Sequence, residues 1–94
     1  MNTPVIDFHS HLGRWERYGQ DDEPARYLRI MDAVGIDRSL VSCIYYGDAR
    51  RNNDIVSEFV ASNPDRFYGV AFATPHYPVE VIPELERCFD ELGM

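Results

Sequence analysis

Apolar residues along the chain fall into two alternating patterns, short continuous runs and longer stretches with helical spacing. The short runs cover residues 4–8, 39–45 and 67–73 and are typical of β-strands. After each of them, apolar residues recur every three or four positions, which is the spacing of one face of an α-helix. The alternation predicts the order βαβαβα, with about 30 residues in each unit.

Start and stop signals give approximate bounds to the three predicted helices. The first begins near Asp22, a plausible N-cap, and ends at Gly35 as its C-cap. The second spans about residues 53–62 and stops at Asn63, because the residue before a proline avoids the helical region. The third covers about residues 79–92. Their apolar stripes are Ala25, Leu28, Met31 and Val34; Ile55, Val56, Phe59 and Val60; and Val81, Ile82, Leu85, Cys88, Phe89 and Leu92.

Strands that alternate with helices predict a parallel sheet with right-handed crossovers. Three such units cannot close a barrel of eight, which takes about 250 residues. We therefore expect an α/β fold that forms the first three βα units of a TIM (β/α)8 barrel. Residues 1–94 are then one partial barrel domain, cut after the third helix.

The first predicted strand runs into the sequence Asp-x-His-x-His at Asp7, His9 and His11. Alternate side chains of a strand share a face, so these three are expected to project together. Two imidazoles one residue apart can both reach one divalent ion at about 2.0–2.1 Å. The pattern predicts a metal site with His9 and His11 as ligands, against the alternative of two hydrogen-bonded structural histidines.

Three further residues near this pair are candidates for supporting roles. Asp7 can orient an imidazole by accepting its second N–H, or it can be a buried acid that hydrogen-bonds the backbone. Arg14 and Trp15, in the following loop, are candidates to hold a substrate carboxylate and an aromatic ring, with simple solvation as the alternative.

Ligands of parallel α/β folds bind beyond the carboxyl ends of the strands. Besides the two histidines, those ends carry Tyr45 and Tyr46, then Thr74 and His76. We interpret the tyrosines as packing residues and His76 as part of a surface turn between two prolines.

The charge balance narrows the range of partners. The formal net charge is −7, from 16 acidic residues against 9 basic ones, and every basic residue is an arginine. No basic patch exists to neutralise phosphates, which argues against nucleic acid or an anionic membrane as a main partner. A small-molecule substrate is the expected partner.

The two cysteines, Cys43 and Cys88, are 45 positions apart and form no C-x-x-C pattern. They are typical of buried small residues in a reduced protein. The sequence has no apolar run of membrane-spanning length and no secretory signal at its start. These features together lead us to expect a cytoplasmic protein.

Six segments of the chain together match the pattern of a known family. They are Ile6-Asp7-Phe8-His9-Ser10-His11-Leu12-Gly13, Met31-Asp32-Ala33-Val34-Gly35-Ile36-Asp37, Asn53-Asp54, Asn63-Pro64-Asp65-Arg66-Phe67-Tyr68-Gly69-Val70-Ala71, Glu84-Leu85-Glu86-Arg87-Cys88 and Glu91-Leu92-Gly93-Met94. On these segments the chain resembles the amidohydrolase-related metal-dependent (β/α)8 enzymes of the aminocarboxymuconate-semialdehyde decarboxylase type. The similarity extends over almost the whole chain, and the run after the second helix and the end of the third helix make it specific.

The resemblance implies a divalent metal, commonly zinc, on the histidines matching His9 and His11. It also implies further histidines and an aspartate after later strands, so the catalytic residues are expected beyond residue 94. The implied reaction is either hydrolysis of a small substrate such as an amide or lactone by a metal-activated water, or non-oxidative decarboxylation of an unsaturated or aromatic carboxylic acid, with a metal serving either. The 94 residues alone are expected to be inactive.

Two alternatives remain open from the sequence. One is a metal-dependent phosphoesterase or deoxyribonuclease barrel with the same H-x-H opening. The other is a non-catalytic module that self-associates through its open sheet edge, because unpaired strand edges are prone to pairing.

Overall fold

The computed structural model has the element order that the apolar pattern predicts, and it describes residues 3–14, 17, 19 and 23–94. The three strands are parallel, and their order in the sheet is their order in the chain. The elements are β1 (Ile6–His11), α1 (Pro24–Val34), β2 (Arg38–Ser42), α2 (Ala49–Ser62), β3 (Phe67–Gly69) and α3 (Pro78–Asp90). The predicted fold class, three βα units of a (β/α)8 barrel, is confirmed.

The core lies on the face of the sheet that the helices cover. Val41 is fully buried there and Phe67 is 1% exposed. Their partners come from the loop after β1 and from the helices, and removing all of these apolar surfaces from water is the main force that holds the layers together. The buried cluster comprises Leu12, Met31, Val41, Cys43, Val56, Phe59 and Phe67.

The register between β1 and β2 contains an irregularity. Asp7 pairs with Ser39 and Ser10 pairs with Val41, so three steps along β1 match two steps along β2. One extra residue in a strand is a β-bulge, which bends the strand and changes the face to which the following side chains point. The bulge therefore separates β1 into two parts whose side chains follow different alternations.

Several boundaries differ from the predicted ones. The second helix begins at Ala49, four residues early, because the side chain of Asp48 accepts hydrogen bonds from the backbone N–H groups of Arg50 and Arg51. Strand β3 ends at Gly69 instead of residue 73, since its partner β2 already ends at Ser42.

The first helix ends at Gly35 as predicted. The φ of Gly35 is 79°, in the left-handed region that glycine enters without a Cβ penalty. The residue that was expected to cap the start, Asp22, lies outside the described residues, and the structure has Glu23 at the N-cap.

The predicted apolar stripes are only partly buried. On α1 Met31 is 5% exposed, whereas Val34 at the helix end is 66% exposed. On α3 Cys88 is fully buried, whereas Ile82 and Phe89 are 61% and 58% exposed. Met31 belongs to the buried core cluster, whereas the exposed members of both stripes face outward.

Both cysteines are buried, as expected, and neither forms a disulfide bond within the described residues. Among the residues that the structure describes, no helix is both long and apolar enough to cross a membrane.

Candidate metal site

His9 and His11 lie in the last three residues of β1, at its carboxyl end. Their Nε2 atoms are 3.0 Å apart, and their ring centroids are separated by 4.8 Å at an interplanar angle of 62°. His9 is exposed and His11 is half-buried. Both imidazoles therefore aim their outer nitrogens at one point on the accessible side of the strand.

This convergence can be tested against the geometry of a bound cation. With nitrogen–metal bonds of about 2.1 Å, two nitrogens at this separation subtend an angle of about 90° at a shared ion. Such an angle suits two neighbouring positions of an octahedral site and lies within reach of a tetrahedral one. The two histidines thus fit the role of ligands to one divalent cation.

The described residues supply part of a ligand shell. Among them, no group of three or more His, Cys, Asp and Glu side chains is placed to hold a metal ion. Catalytic zinc sites use three protein ligands and a water. The two converging imidazoles would therefore supply half of such a site.

Asp7 does not share the face of the two histidines, and the predicted common face is wrong at this position. Residues in register across a parallel pair point the same way, so Asp7 lies with Ser39 on the covered face, while His11 lies with Ser42 on the other. The bulge after Asp7 is the cause, and it also places Ser10 on the face of Asp7.

The carboxylate of Asp7 accepts hydrogen bonds from the Ser10 hydroxyl, from Ser39 Oγ at 3.3 Å and from the backbone N–H of His9 at 3.2 Å. These bonds, that of Ser10 first, lower the pKa of Asp7 below its ordinary value, against the opposing effect of burial. Its partners in the described part of the chain are hydroxyls and a backbone amide, and not an imidazole.

Two residues that the sequence did not single out support the end of β1. The hydroxyl of Tyr27, on α1, donates to the backbone carbonyl of His11 at 2.9 Å. Gly13 has a φ of 121°, and a Cβ there would lie 2.8 Å from Tyr45 Cδ2 and 3.0 Å from Cys43 Sγ. Only the positive φ of Gly13 had a recognisable signal, a glycine two residues after the histidine pair.

The other predicted rim residues are only partly brought together. The ring of Tyr45 lies edge-on to His11, with centroids 6.2 Å apart. The guanidinium carbon of Arg51 instead lies over the ring of Tyr46, 3.7 Å from the centroid of that ring. The backbone N–H of His76 donates to Thr74 Oγ1 at 3.3 Å, within its own turn, and its side chain is exposed.

Of the two candidate substrate-binding residues, the structure describes one. Arg14 is exposed and directly follows Gly13. Trp15 lies outside the described residues.

No family model matches the chain. In sequence it is similar to the gamma-resorcylate decarboxylase of Polaromonas sp. (strain JS666 / ATCC BAA-500), with 36% identity over 80 residues, which covers 72% of this chain and 24% of that protein. The gamma-resorcylate decarboxylase of Rhizobium sp. (strain MTP-10005) is 33% identical over 78 residues. The chain therefore spans about a quarter of the length of the curated relatives that it matches.

Solved structures extend the similarity to nearly the whole chain. A 2,6-dihydroxybenzoate decarboxylase in complex with 2,6-dihydroxybenzoate superposes with a TM-score of 0.82 and 25% identity, over 99% of this chain and 38% of that one. The dihydroxybenzoic acid decarboxylase of Polaromonas sp. JS666, which holds manganese and the inhibitor 2-nitroresorcinol, has a TM-score of 0.80 and 30% identity, over 99% of this chain and 37% of that one. Manganese in that neighbour supports a divalent metal but not the zinc that the sequence led us to expect.

Proposed function

The chain belongs to the amidohydrolase-related decarboxylases, and on this premise we propose that it is part of a metal-dependent enzyme that decarboxylates a small aromatic carboxylic acid without an oxidant. Residues 1–94 form one partial barrel domain in this proposal. The relatives' names support the reaction, because gamma-resorcylate and 2,6-dihydroxybenzoate decarboxylases act on aromatic acids.

The observation that carries the proposal is the convergence of His9 and His11 at the end of β1, with Nε2 atoms 3.0 Å apart. In the proposal these two residues hold the divalent cation, and manganese is favoured over zinc by the neighbour that is 30% identical. When bound, such a cation supplies a Lewis acid for an anionic oxygen of the substrate.

The chain's own residues would then bind the cation and orient the substrate. His9 and His11 fix the cation on the uncovered face of the sheet, where a small aromatic acid can approach. Arg14, exposed at the same end of β1, is the candidate partner for the substrate carboxylate, because a guanidinium donates two parallel hydrogen bonds to it. Trp15 stays the candidate for stacking on the aromatic ring.

The metal site is tested by titrating the chain with Mn²⁺ and following the ring C–H resonances of its histidines. The chain has three histidines, so His76 is an internal control. Paramagnetic broadening falls off steeply with distance, and we expect the signals of His9 and His11 to broaden at Mn²⁺ concentrations that leave His76 sharp. Equal broadening of all three signals would overturn the site.

The reaction is tested in the longest chain that contains these residues, by measuring CO₂ release from 2,6-dihydroxybenzoate in the presence of Mn²⁺. We expect His9→Ala and His11→Ala to abolish release and His76→Ala to leave it within about twofold, since only the first two remove metal ligands. Turnover that survives both ligand substitutions would contradict the proposal. Tight, stoichiometric metal on the 94 residues alone would contradict a half-site.

A further inference from the structure

Tyr27 connects the end of β1 to the buried core. Its hydroxyl donates to the carbonyl oxygen of His11 at 2.9 Å. Its ring lies edge-to-face against Phe59 of α2, with centroids 5.1 Å apart, and Phe59 packs in the same way on Phe67 of β3 at 4.7 Å. Because Phe59 and Phe67 are 4% and 1% exposed, the row is fixed by packing on all sides.

The hydrogen bond from Tyr27 is made to a strand that has a neighbouring strand on one side alone within the described sheet. β1 pairs with β2 alone among the described strands, and it contains the bulge between Asp7 and Ser10. A bulged strand at a sheet edge has fewer ladder bonds to fix its peptide planes. The carbonyl of His11 receives its fixed partner from a helix instead.

We propose that Tyr27 is a positioning residue for the metal ligand His11. The peptide plane after His11 shares its Cα with the imidazole, so a rotation of that plane displaces Nε2. Metal sites tolerate displacements of only about 0.2 Å from ideal ligand distances. This inference rests on the proposed metal site, and it adds a residue on α1 that never touches the cation.

The alternative is that Tyr27 serves the core alone. Its ring would account for that role without the hydroxyl, since the contact with Phe59 is made by the ring. The variant Tyr27→Phe separates the two roles, because it keeps the ring and removes only the donor to His11.

The test is the Mn²⁺ titration of the chain read on the resonances of His9 and His11. We expect Tyr27→Phe to require about tenfold more Mn²⁺ for the same broadening, the usual cost of losing a partner that orients a ligand. The matched control is Tyr68→Phe, which removes from β3 a hydroxyl that accepts a hydrogen bond from Arg38 of β2 and should leave the midpoint within about twofold. Melting temperatures of both variants are measured beside the titrations.

The outcomes separate this inference from the proposed function. If the wild-type chain shows no selective broadening of His9 and His11, the proposed metal site fails and the inference fails with it. If the wild type is selective and Tyr27→Phe has the same midpoint, only the inference is overturned. Equal weakening by Tyr27→Phe and Tyr68→Phe, in parallel with their melting temperatures, also overturns it.

A measurement on the wild type covers the case in which Tyr27→Phe does not fold. Replacing the hydroxyl proton by deuterium shifts the carbon resonance of a carbonyl that accepts its hydrogen bond. We expect such an isotope shift at the carbonyl of His11, and its absence would overturn the inference without any variant.

Discussion

The carboxylate of Asp7 contacts hydroxyls and the backbone beside the candidate metal site, and not an imidazole. It accepts from the Ser10 hydroxyl and from Ser39 Oγ, so it spans the bulge and ties β1 to β2. It also accepts from the backbone N–H of His9, the residue at which the strand turns. Asp7 thereby ties the two sides of the bulge together next to His9.

Gly13 is the residue at which a single methyl group should be most costly near the site. Its φ of 121° is strained for any L side chain, and an added Cβ would lie 2.8 Å from the ring of Tyr45. We expect Gly13→Ala to lower the free energy of unfolding by about 1–3 kcal/mol, through strain and overpacking.

Urea unfolding measures this effect, with Gly47→Ala as the control. A Cβ added at Gly47 would meet no atom within 4 Å, and the φ of Gly47 is not positive. Its substitution should therefore change the free energy of unfolding by less than about 0.5 kcal/mol. Equal losses for the two variants would show that the contact between Gly13 and Tyr45 is not what restricts the position.

At the residue scale, the histidine pair was predictable and the place of Asp7 was not. Side chains two residues apart share a face whenever the strand between them is extended, and this needs only the local sequence. The bulge depends on how β1 aligns with β2, whose residues Ser39 and Val41 lie more than 30 positions away. Tyr27 was missed for the same reason, since its bond to His11 joins two elements.

Helix α2 holds the loops at the carboxyl ends of two strands through two adjacent, fully buried asparagines. The side chain of Asn52 accepts from the N–H of Tyr46 at 3.1 Å and donates to its carbonyl at 2.8 Å. The side chain of Asn53 accepts from the N–H of Phe72 at 2.7 Å and donates to its carbonyl at 2.9 Å. Each amide replaces a missing strand partner, which satisfies backbone groups where the sheet ends.

Helices α2 and α3 are joined by an ionic cluster around the buried Glu84, which no apolar pattern could indicate. Glu84 is 8% exposed and accepts from Arg87 Nη2 at 2.7 Å and from Asn53 Nδ2 at 3.2 Å. Arg87 also donates to Asp54 at 2.8 Å. The bonds from Arg87 above all hold the pKa of Glu84 below its ordinary value, and Glu84 in turn raises the pKa of Arg87.

The lowered pKa of Glu84 makes stability depend on pH. As the pH falls, the unfolded chain binds the proton first, at about 4.3, so the stabilising contribution is complete above that pH and is lost as the pH falls through the lower folded value. We expect Glu84→Gln to cost about 1–3 kcal/mol at pH 7 and much less near pH 3. Urea unfolding at several pH values measures this difference between variant and wild type.

The control for this prediction is Glu86→Gln, on the same helix and exposed to solvent. It should change stability by less than about 0.5 kcal/mol at either pH. A Glu84→Gln penalty that is the same at pH 3 as at pH 7 would mean that the lost interaction is not the charge on Glu84.

At the element scale, the order and type of the elements followed from the sequence, while their ends depended on partners. The period of the apolar residues is local, and it was sufficient to identify three strands and three helices. The early start of α2 was set by the cap at Asp48, and the early end of β3 was set by the length of β2. Glu84 was missed because a buried acid has no periodic signal.

The whole molecule has a covered face and an uncovered face, and the uncovered face carries exposed apolar residues. Phe8 is 79% exposed, and Ile6 and Tyr68 are 51% and 44% exposed. Phe8 and Ile6 lie on β1, the strand at one edge of the described sheet. Apolar side chains beside an unpaired strand edge favour association with another chain.

We therefore expect the 94 residues on their own to self-associate through β1, and sedimentation velocity over a range of concentrations measures this. Phe8→Ser should shift the distribution toward monomer, because it removes the largest exposed apolar side chain at that edge. Phe89→Ser is the matched control, since Phe89 is 58% exposed on α3, away from the strand edges. A wild-type chain that sediments as a compact monomer at all concentrations would contradict the prediction, and an equal response to both substitutions would place the contact elsewhere than β1.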